Sequence, residues 1–247
     1  MSQAYDLFDD ARLASALAGQ AGQLLLTARS LTAITGKPLG SLGDAVGQQF
    51  LSRSLSTLRP DDAVLSEEAT DDESRLGRSR VWIIDPLDGT REYSEGRDDW
   101  AIHVALCIDG HSTIGAVALP GLGVVLDTAT PPPMPAAPEG LKILVSRSRP
   151  PEVAKRAAEI LGAELVPLGS AGAKVMAVVR GEAHAYVHAG GQYEWDSAAP
   201  VAVARAAGFH VSRLDGGPMV YNQKEAYLPD LVVCRPELKD RLMAAVG

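Results

Sequence analysis

Asp85 and Asp88 stand three residues apart in Val81-Trp82-Ile83-Ile84-Asp85-Pro86-Leu87-Asp88-Gly89-Thr90, with a glycine and a hydroxyl directly behind them. The run Val81 to Ile84 is apolar, β-branched and aromatic, which predicts a buried strand. Pro86 cannot donate to a ladder, so the strand is expected to stop there. A carboxylate at the end of a buried strand is costly without a positive partner. No basic residue lies between Asp85 and Thr90, so the expected partner is a hard cation held by oxygen ligands. If a helix begins here, the amides of Gly89 and Thr90 point outward as an anion site, and glycine lets the anion approach closely. Carboxylates for cations beside amides for an anion suit a phosphate monoester bridged by Mg²⁺. The Thr90 hydroxyl would orient an attacking water, with a nearby carboxylate accepting its proton.

Two further acids fall at the ends of expected elements. Glu67 follows the short strand Ala63-Val64-Leu65, and Asp196 lies in Trp195-Asp196-Ser197-Ala198-Ala199 where a helix is expected to begin. Element ends that meet at one crevice are a common location for sites. Each acid alone has an ordinary reading: Asp88 and Asp196 as helix N-caps, Glu67 as a solvated surface charge. The hexad Asp85 to Thr90 outweighs those readings, because a cap needs neither a second carboxylate nor the Gly-Thr pair. The Asp-x-Asp-Gly-Thr pattern of haloacid-dehalogenase-type phosphatases is set aside, since two residues, Pro86 and Leu87, separate the acids here.

The elements that must position these residues follow from periodicity. Leu7, Ala11, Ala14, Leu17, Ala21, Leu24 and Ala28 predict an amphipathic helix over 7–29, ended near Thr35-Gly36-Lys37-Pro38. A second helix is expected to begin near Gly43-Asp44 and to stop at Arg59-Pro60. After the central strand, 101–108, 111–119 and 123–129 predict an antiparallel meander. Five prolines between 131 and 138 exclude regular structure and predict a junction between an α+β unit, 1–130, and an α/β unit, 139–247. In the second unit strands are expected at 142–146, 163–168, 183–187, 209–212 and 231–233. Helices are expected at 151–161, 171–179, 196–207 and 236–246, an alternation typical of α/β layers.

Composition bounds the rest. With 247 residues, 46% hydrophobic and 22% charged, the chain has material for one large domain or two smaller ones. Lys and Arg number 23 against 31 Asp and Glu, a net charge of −8 that argues against a nucleic-acid polymer as partner. Cys107 and Cys234 match no metal or redox spacing and read as buried reduced thiols, which suits the cytoplasm. The acidic N-terminus and the lack of any apolar run near ~18 residues predict neither export nor a membrane span.

Glu67-Glu68, Asp85-Pro86-Leu87-Asp88-Gly89-Thr90 and Trp195-Asp196-Ser197-Ala198-Ala199, in that order, resemble the inositol monophosphatase superfamily of Mg²⁺-dependent, lithium-sensitive phosphatases. The resemblance covers nearly the whole chain and implies a five-layer αβαβα sandwich with the site between its halves. It implies that Glu67, Asp85 and the Leu87 carbonyl hold one Mg²⁺ and that Asp85, Asp88 and Asp196 hold a second. Glu67 would help with a weaker third ion, and Thr90 with Asp44 would activate water. The family often reads Val-Thr-x-x-Asp where this chain has Gly40-Ser41-Leu42-Gly43-Asp44, and a helix N-cap is the other reading of Asp44.

Within the superfamily the chain is most similar to the CysQ-type 3'(2'),5'-bisphosphate nucleotidases of sulfur assimilation. The pointers are Gly169-Ser170 with Lys174, His188-Ala189-Gly190-Gly191-Gln192, and Tyr221-Asn222 after Gly216-Gly217. The implied reaction removes the 3'-phosphate of adenosine 3',5'-bisphosphate, with Gly89, Thr90, Ser170, Lys174 and Asp196 contacting the substrate. A second phosphate needs a cation beyond the metals, and Lys174 is either that cation or a solvated helix residue. Gly190-Gly191 either admits a flat base or sugar or forms a tight turn. Inositol 1-phosphate and fructose 1,6-bisphosphate are the alternative substrates, a non-catalytic metal- or nucleotide-binding relative is the alternative to an enzyme, and a homodimer is left open.

Overall fold

The computed structural model describes residues 9–71 and 73–247. Helix α1, Asp10–Leu31, starts at Asp9, whose carboxylate accepts the Arg12 amide at 2.8 Å. Leu7, expected as its first apolar position, lies outside the described residues. Helix α2 spans Lys37–Leu58. The two helices cover one face of a five-stranded sheet ordered β1-β2-β3-β4-β5. Its strands are Ala63–Ser66, Arg80–Asp88, Ala101–Ile108, His111–Leu119 and Val124–Asp127. β1 runs parallel to β2, and the others are antiparallel.

The second sheet is ordered β7-β6-β8-β10-β9. In chain order it comprises β6, Lys142–Ser146; β7, Glu164–Leu168; β8, Ala185–Tyr193; β9, His210–Ser212; and β10, Tyr227–Cys234. Between the sheets lie α5, Ala171–Val179, and α6, Glu194–Ala206. The outer face of the second sheet carries α4, Glu152–Leu161, and α7, Lys239–Val246. One turn of helix, α3, Thr90–Ser94, follows β2 directly.

The period-two alternation of the strands dictates this layering. Trp82, Ile84, Ile102, Val104 and Ala116 pack toward α1 and α2, while Val81, Ile83, Ala105, Cys107 and Val117 pack toward α5 and α6. In the second sheet Tyr186, Leu231 and Val233 join that central core, and Ile143, Val187 and Val232 face α4 and α7. Helices therefore cover both faces of each sheet, giving the five layers αβαβα. The first sheet ends at Asp127 and the second starts at Lys142, on either side of the proline stretch, yet the central core draws on both.

Several element ends differ from expectation for physical reasons. β2 does not stop at Pro86 but runs to Asp88, because its register against β3 shifts between Asp85 and Asp88 and the irregularity absorbs the missing donor. α2 begins at Lys37 rather than near Gly43, with Pro38 in its first turn, where a missing N–H costs nothing. Asp44 is consequently inside the helix and is not an N-cap. The cap of α3 is Gly89, at φ +91°, so Asp88 is not a cap either. β8 extends to Tyr193, and α6 starts at Glu194, which puts Asp196 third in the helix. Cys107 and Cys234 are buried free thiols, each pushed by burial up to about 12. No described helix is long and apolar enough to cross a membrane.

Candidate active site

The irregular end of β2 presents Asp85 and Asp88 toward the layer between the sheets, where the first turn of α6 delivers Asp196. One carboxylate oxygen from each of the three lies within 4.8 Å of the others. Asp85 is 1% exposed and its Oδ1 accepts the Leu87 amide at 3.0 Å. Asp196 Oδ2 accepts the Tyr193 amide at 2.7 Å, which fixes it against the start of α6. Glu67 arrives from β1, which lies parallel beside β2 with Ser66 opposite Ile84.

Electrostatically the cluster carries more negative than positive charge, with His103 and Lys174 offsetting only part of it at Asp88 and Asp196. Burial, then repulsion from Glu67, Asp88 and Asp196, lifts Asp85 well above the ordinary carboxylate range. Burial, then repulsion from Asp88, pushes Asp196 up to about 7. Burial, with repulsion from Asp196 and Asp88, pushes Glu67 up to about 7 as well, although more than a third of its surface faces solvent and screens part of that effect. Among the described residues no Lys or Arg donates to any of these carboxylates. Hard oxygen donors with a deficit of positive charge fit a divalent cation of the Mg²⁺ or Ca²⁺ type, and the absence of thiolate donors disfavours zinc.

Asp88 is held differently. The amides of Ala171 and Gly172 at the start of α5 donate to its two oxygens at 3.2 and 2.6 Å. His103 Nε2 lies 3.2 Å from Asp88 Oδ2 as an ion-pair approach without hydrogen-bond alignment, and Nδ1 contacts the Trp195 carbonyl at 2.9 Å. Burial would raise Asp88, but His103 and the Gly172 amide outweigh it and hold the carboxyl below its usual value.

Asp44 and Thr90 meet because α2 lies close on the β2–α3 turn. Gly40, Gly43 and Gly47 face that turn, and a Cβ at each would come within 2.8 Å of Thr90 Cγ2, 2.7 Å of Leu87 Cδ2 and 2.8 Å of the Pro86 carbonyl oxygen. The Thr90 hydroxyl is 3.0 Å from Asp44 Oδ1 and 3.2 Å from the Leu87 carbonyl oxygen, both acceptors. Burial pushes Asp44 up to about 6, against the hydrogen bond from Thr90.

Ser170 and Lys174 occupy α5 otherwise than a substrate-facing pair would. The Ser170 hydroxyl caps the helix, accepting the Ala173 amide at 2.9 Å. Lys174 is only 3% exposed, and its ammonium donates to the carbonyls of Gly169 and Ser170 and stands 5.2 Å from the Tyr186 ring centre. Burial draws it down to about 8. It is not a solvated helix lysine.

Three residues with a claim on the site went unassigned in the sequence. His103 was visible only as a polar residue inside an apolar strand; its register partner is Asp85. His188 is 8% exposed, on the Tyr186 side of β8, and neither of its ring nitrogens has a hydrogen-bond partner among the described residues. Burial pulls it down to about 4, so it is neutral at physiological pH. Arg149 is exposed on the loop after β6, and its Nη1 would lie 3.4 Å from a Cβ at Gly191, which places the guanidinium beside the His188–Gln192 segment.

A mixed α/β five-layer sandwich with converging carboxylates defines a class. The description "Inositol monophosphatase family" matches residues 10–247, and the chain belongs to that family. Over 239 residues it is 52% identical to the 3'-phosphoadenosine 5'-phosphate phosphatase of Mycobacterium tuberculosis (strain CDC 1551 / Oshkosh), covering 92% of this chain and 89% of that one. It is 30% identical over 205 residues to the 3'(2'),5'-bisphosphate nucleotidase CysQ of Escherichia coli (strain K12), covering 75% and 80%. The solved structure of CysQ from Bacteroides thetaiotaomicron shares the fold at TM-score 0.77 and 23% identity, over 90% of this chain and 96% of that one. The resemblance read from the motifs, and the fold it implied, are borne out.

Proposed function

We propose that the protein is a Mg²⁺-dependent phosphomonoesterase that removes the 3'-phosphate of adenosine 3',5'-bisphosphate, a step of sulfur assimilation. The observation that carries the reading is the convergence of Asp85, Asp88 and Asp196 on one point, with no Lys or Arg among the described residues donating to them. Residues 1–130 supply Glu67, Asp85, Asp88 and the Leu87 carbonyl, and residues 139–247 close the site with Asp196. These groups would hold two or three Mg²⁺ ions, which supply Lewis-acid polarisation of the phosphoryl group and make water acidic enough to attack.

Thr90 and Asp44 act on the water. Because the Thr90 hydroxyl donates toward Asp44, its oxygen is left to accept a hydrogen bond from the attacking water. As the water attacks, its proton passes to Thr90 Oγ1 while the threonine proton passes to Asp44 Oδ1. An Asp44 titrating at about 6 is ionised at neutral pH and is a better base than an ordinary aspartate. Gly89 and Thr90 bound the phosphate side of the site, and Ser170 and Lys174 shape its wall by holding the start of α5 and the 169–170 turn.

The substrate class rests on the names of the relatives, and the rim agrees with it. Arg149 offers an exposed guanidinium for the phosphate that is not cleaved, a role expected of Lys174, whose ammonium is already engaged by two carbonyls. Phosphate release from adenosine 3',5'-bisphosphate, inositol 1-phosphate and fructose 1,6-bisphosphate, with Mg²⁺ and with excess chelator, tests the reading. Preference for the bisphosphate nucleotide and loss of turnover in chelator are expected. Turnover in chelator would overturn the metal reading, and preference for inositol 1-phosphate would overturn the substrate.

A further inference from the structure

Glu67 and Asp196 come from distant parts of the chain, and one buried knot ties their supports together. Between β1 and β2 the described residues of the crossing 67–79 form turns, with neither strand nor helix among them. Arg75 anchors this crossing: it is 1% exposed and spends its guanidinium on three partners. Nε and Nη2 donate to Asp71 Oδ2 at 3.1 and 2.7 Å, and Nη1 donates to Asn222 Oδ1 and to the Gln223 carbonyl, each at 2.9 Å. Asn222 answers by donating its side-chain amide to the Arg75 carbonyl at 3.2 Å. It holds a left-handed backbone, φ +57°, which asparagine tolerates better than most residues.

The other half of the knot lies in α6. Glu194 is its first residue, two before Asp196, and is 0% exposed. Its oxygens accept the amides of Asn222 and Gln223, each at 2.7 Å. Tyr221 adds a contact between its hydroxyl and Ser197 Oγ at 3.2 Å, just beyond Asp196. The segment 221–223 is thus bonded on one side to the crossing that follows Glu67 and on the other to the turn that carries Asp196.

We propose that Arg75, Asn222 and Glu194 are positioning residues that set the separation of Glu67 and Asp196 and thereby the affinity of the site for its divalent ion. Mutual repulsion drives the metal-free carboxylates apart, and Glu67 is the first residue past the β1–β2 ladder, which ends at Ser66. The knot supplies the restraint through a planar fork that cannot be reproduced by a flexible ammonium. Groups hydrogen-bonded directly to metal ligands change affinity by about 10- to 100-fold when removed, and the knot acts on the backbone that carries Glu67 and Asp196. The inference rests on the carboxylate cluster being a metal site.

The test is calorimetric titration of the metal-free full chain with Mn²⁺ or Mg²⁺ alone, beside its thermal midpoint. Arg75→Met and Asn222→Gly are each expected to weaken ion binding by roughly 10-fold or more. The kcat measured at saturating metal should return close to the wild-type value. Asn222→Gly keeps the left-handed backbone accessible, so it remains informative if Arg75→Met fails to fold. Leu242→Ala, in the outer core of α7, should lower the thermal midpoint without changing ion affinity. Knot variants that lose only thermal stability, with wild-type ion affinity, would overturn the inference while leaving the proposed function intact. A wild-type chain that binds no ion would overturn the proposed function, and this inference with it.

Discussion

At the scale of single residues, the proposed function gives Thr90 and Asp44, hydrogen-bonded at 3.0 Å, a shared role in activating water, the hydroxyl touching the water and the carboxylate taking the proton. Asp44→Asn keeps an acceptor for Thr90 but removes the base, so kcat should fall by about 10²–10⁴-fold. The Mg²⁺ concentration for half-maximal rate should move little, because Asp44 is not among the converging carboxylates. Wild-type kcat in steady-state assays would remove Asp44 from the mechanism. Arg149 makes a different prediction. A charge-assisted contact to phosphate contributes about 1.5–3 kcal/mol, roughly 10- to 100-fold in kcat/KM. Arg149→Ala should cost that factor with adenosine 3',5'-bisphosphate and almost nothing with inositol 1-phosphate, which has no second phosphate. Raising ionic strength should erode the wild-type preference more than that of the variant, since Arg149 is exposed and easily screened. Equal losses on both substrates would show that Arg149 contacts a shared group.

At the scale of elements, α2 must lie almost against the β2–α3 turn, and its glycine face permits that. A Cβ on Gly43 would come 2.7 Å from Leu87 Cδ2 and 2.9 Å from Tyr93 Cε1. Gly43→Ala gains helix propensity of about 1 kcal/mol but meets an overpacking cost of about 1–3 kcal/mol. The expected net result is a lowered thermal midpoint together with a lower kcat, because α2 can relieve the clash only by carrying Asp44 away from Thr90. A fall in stability with unchanged kcat would mean that the site tolerates the shift. The same helix shows what the sequence did and did not disclose. The expected start near Gly43 falls well inside the helix, which begins at Lys37, and only the packing partner explains the glycines at 40, 43 and 47. The strand from Val81 was legible from its apolar run, but its continuation through Pro86 depends on a register slip against β3 that no local pattern encodes. Asp85, Asp88 and Asp196 were legible because the sequence places them near element ends, each with a recognisable set of neighbours. His103 and Arg75 were not, since their roles arise from contacts with Trp195 and with residues 222–223, far away in the chain.

At the scale of the whole molecule, the site opposes the fold until an ion arrives. In the metal-free protein Asp85 titrates well above the ordinary range, and Asp196 and Glu67 titrate at about 7, whereas unfolded carboxyls titrate near ~4. Between those values the folded chain keeps protons that the unfolded chain has released. The stability associated with the protonated carboxyls is complete below about pH 4 and is lost as pH rises toward 7. Asp88, held below its usual value by His103 and the Gly172 amide, and His188, drawn down to about 4 by burial, work in the opposite direction up to about pH 6.5, but three raised carboxyls outweigh them between pH 5 and 7. The thermal midpoint of the chelator-treated protein should therefore fall between pH 5 and pH 7.5. Saturating Mg²⁺ should raise the midpoint most at the upper end of that range, because the ion binds the ionised carboxylates and stabilises only the folded state. Asp196→Asn should lift the metal-free midpoint at pH 7.5 by removing one repelled charge, and should shrink the Mg²⁺-induced rise. A metal-free midpoint that instead climbs steadily from pH 5 to 7.5 would mean that the four acids are neutralised from within the fold, leaving no deficit of charge for a divalent ion to fill.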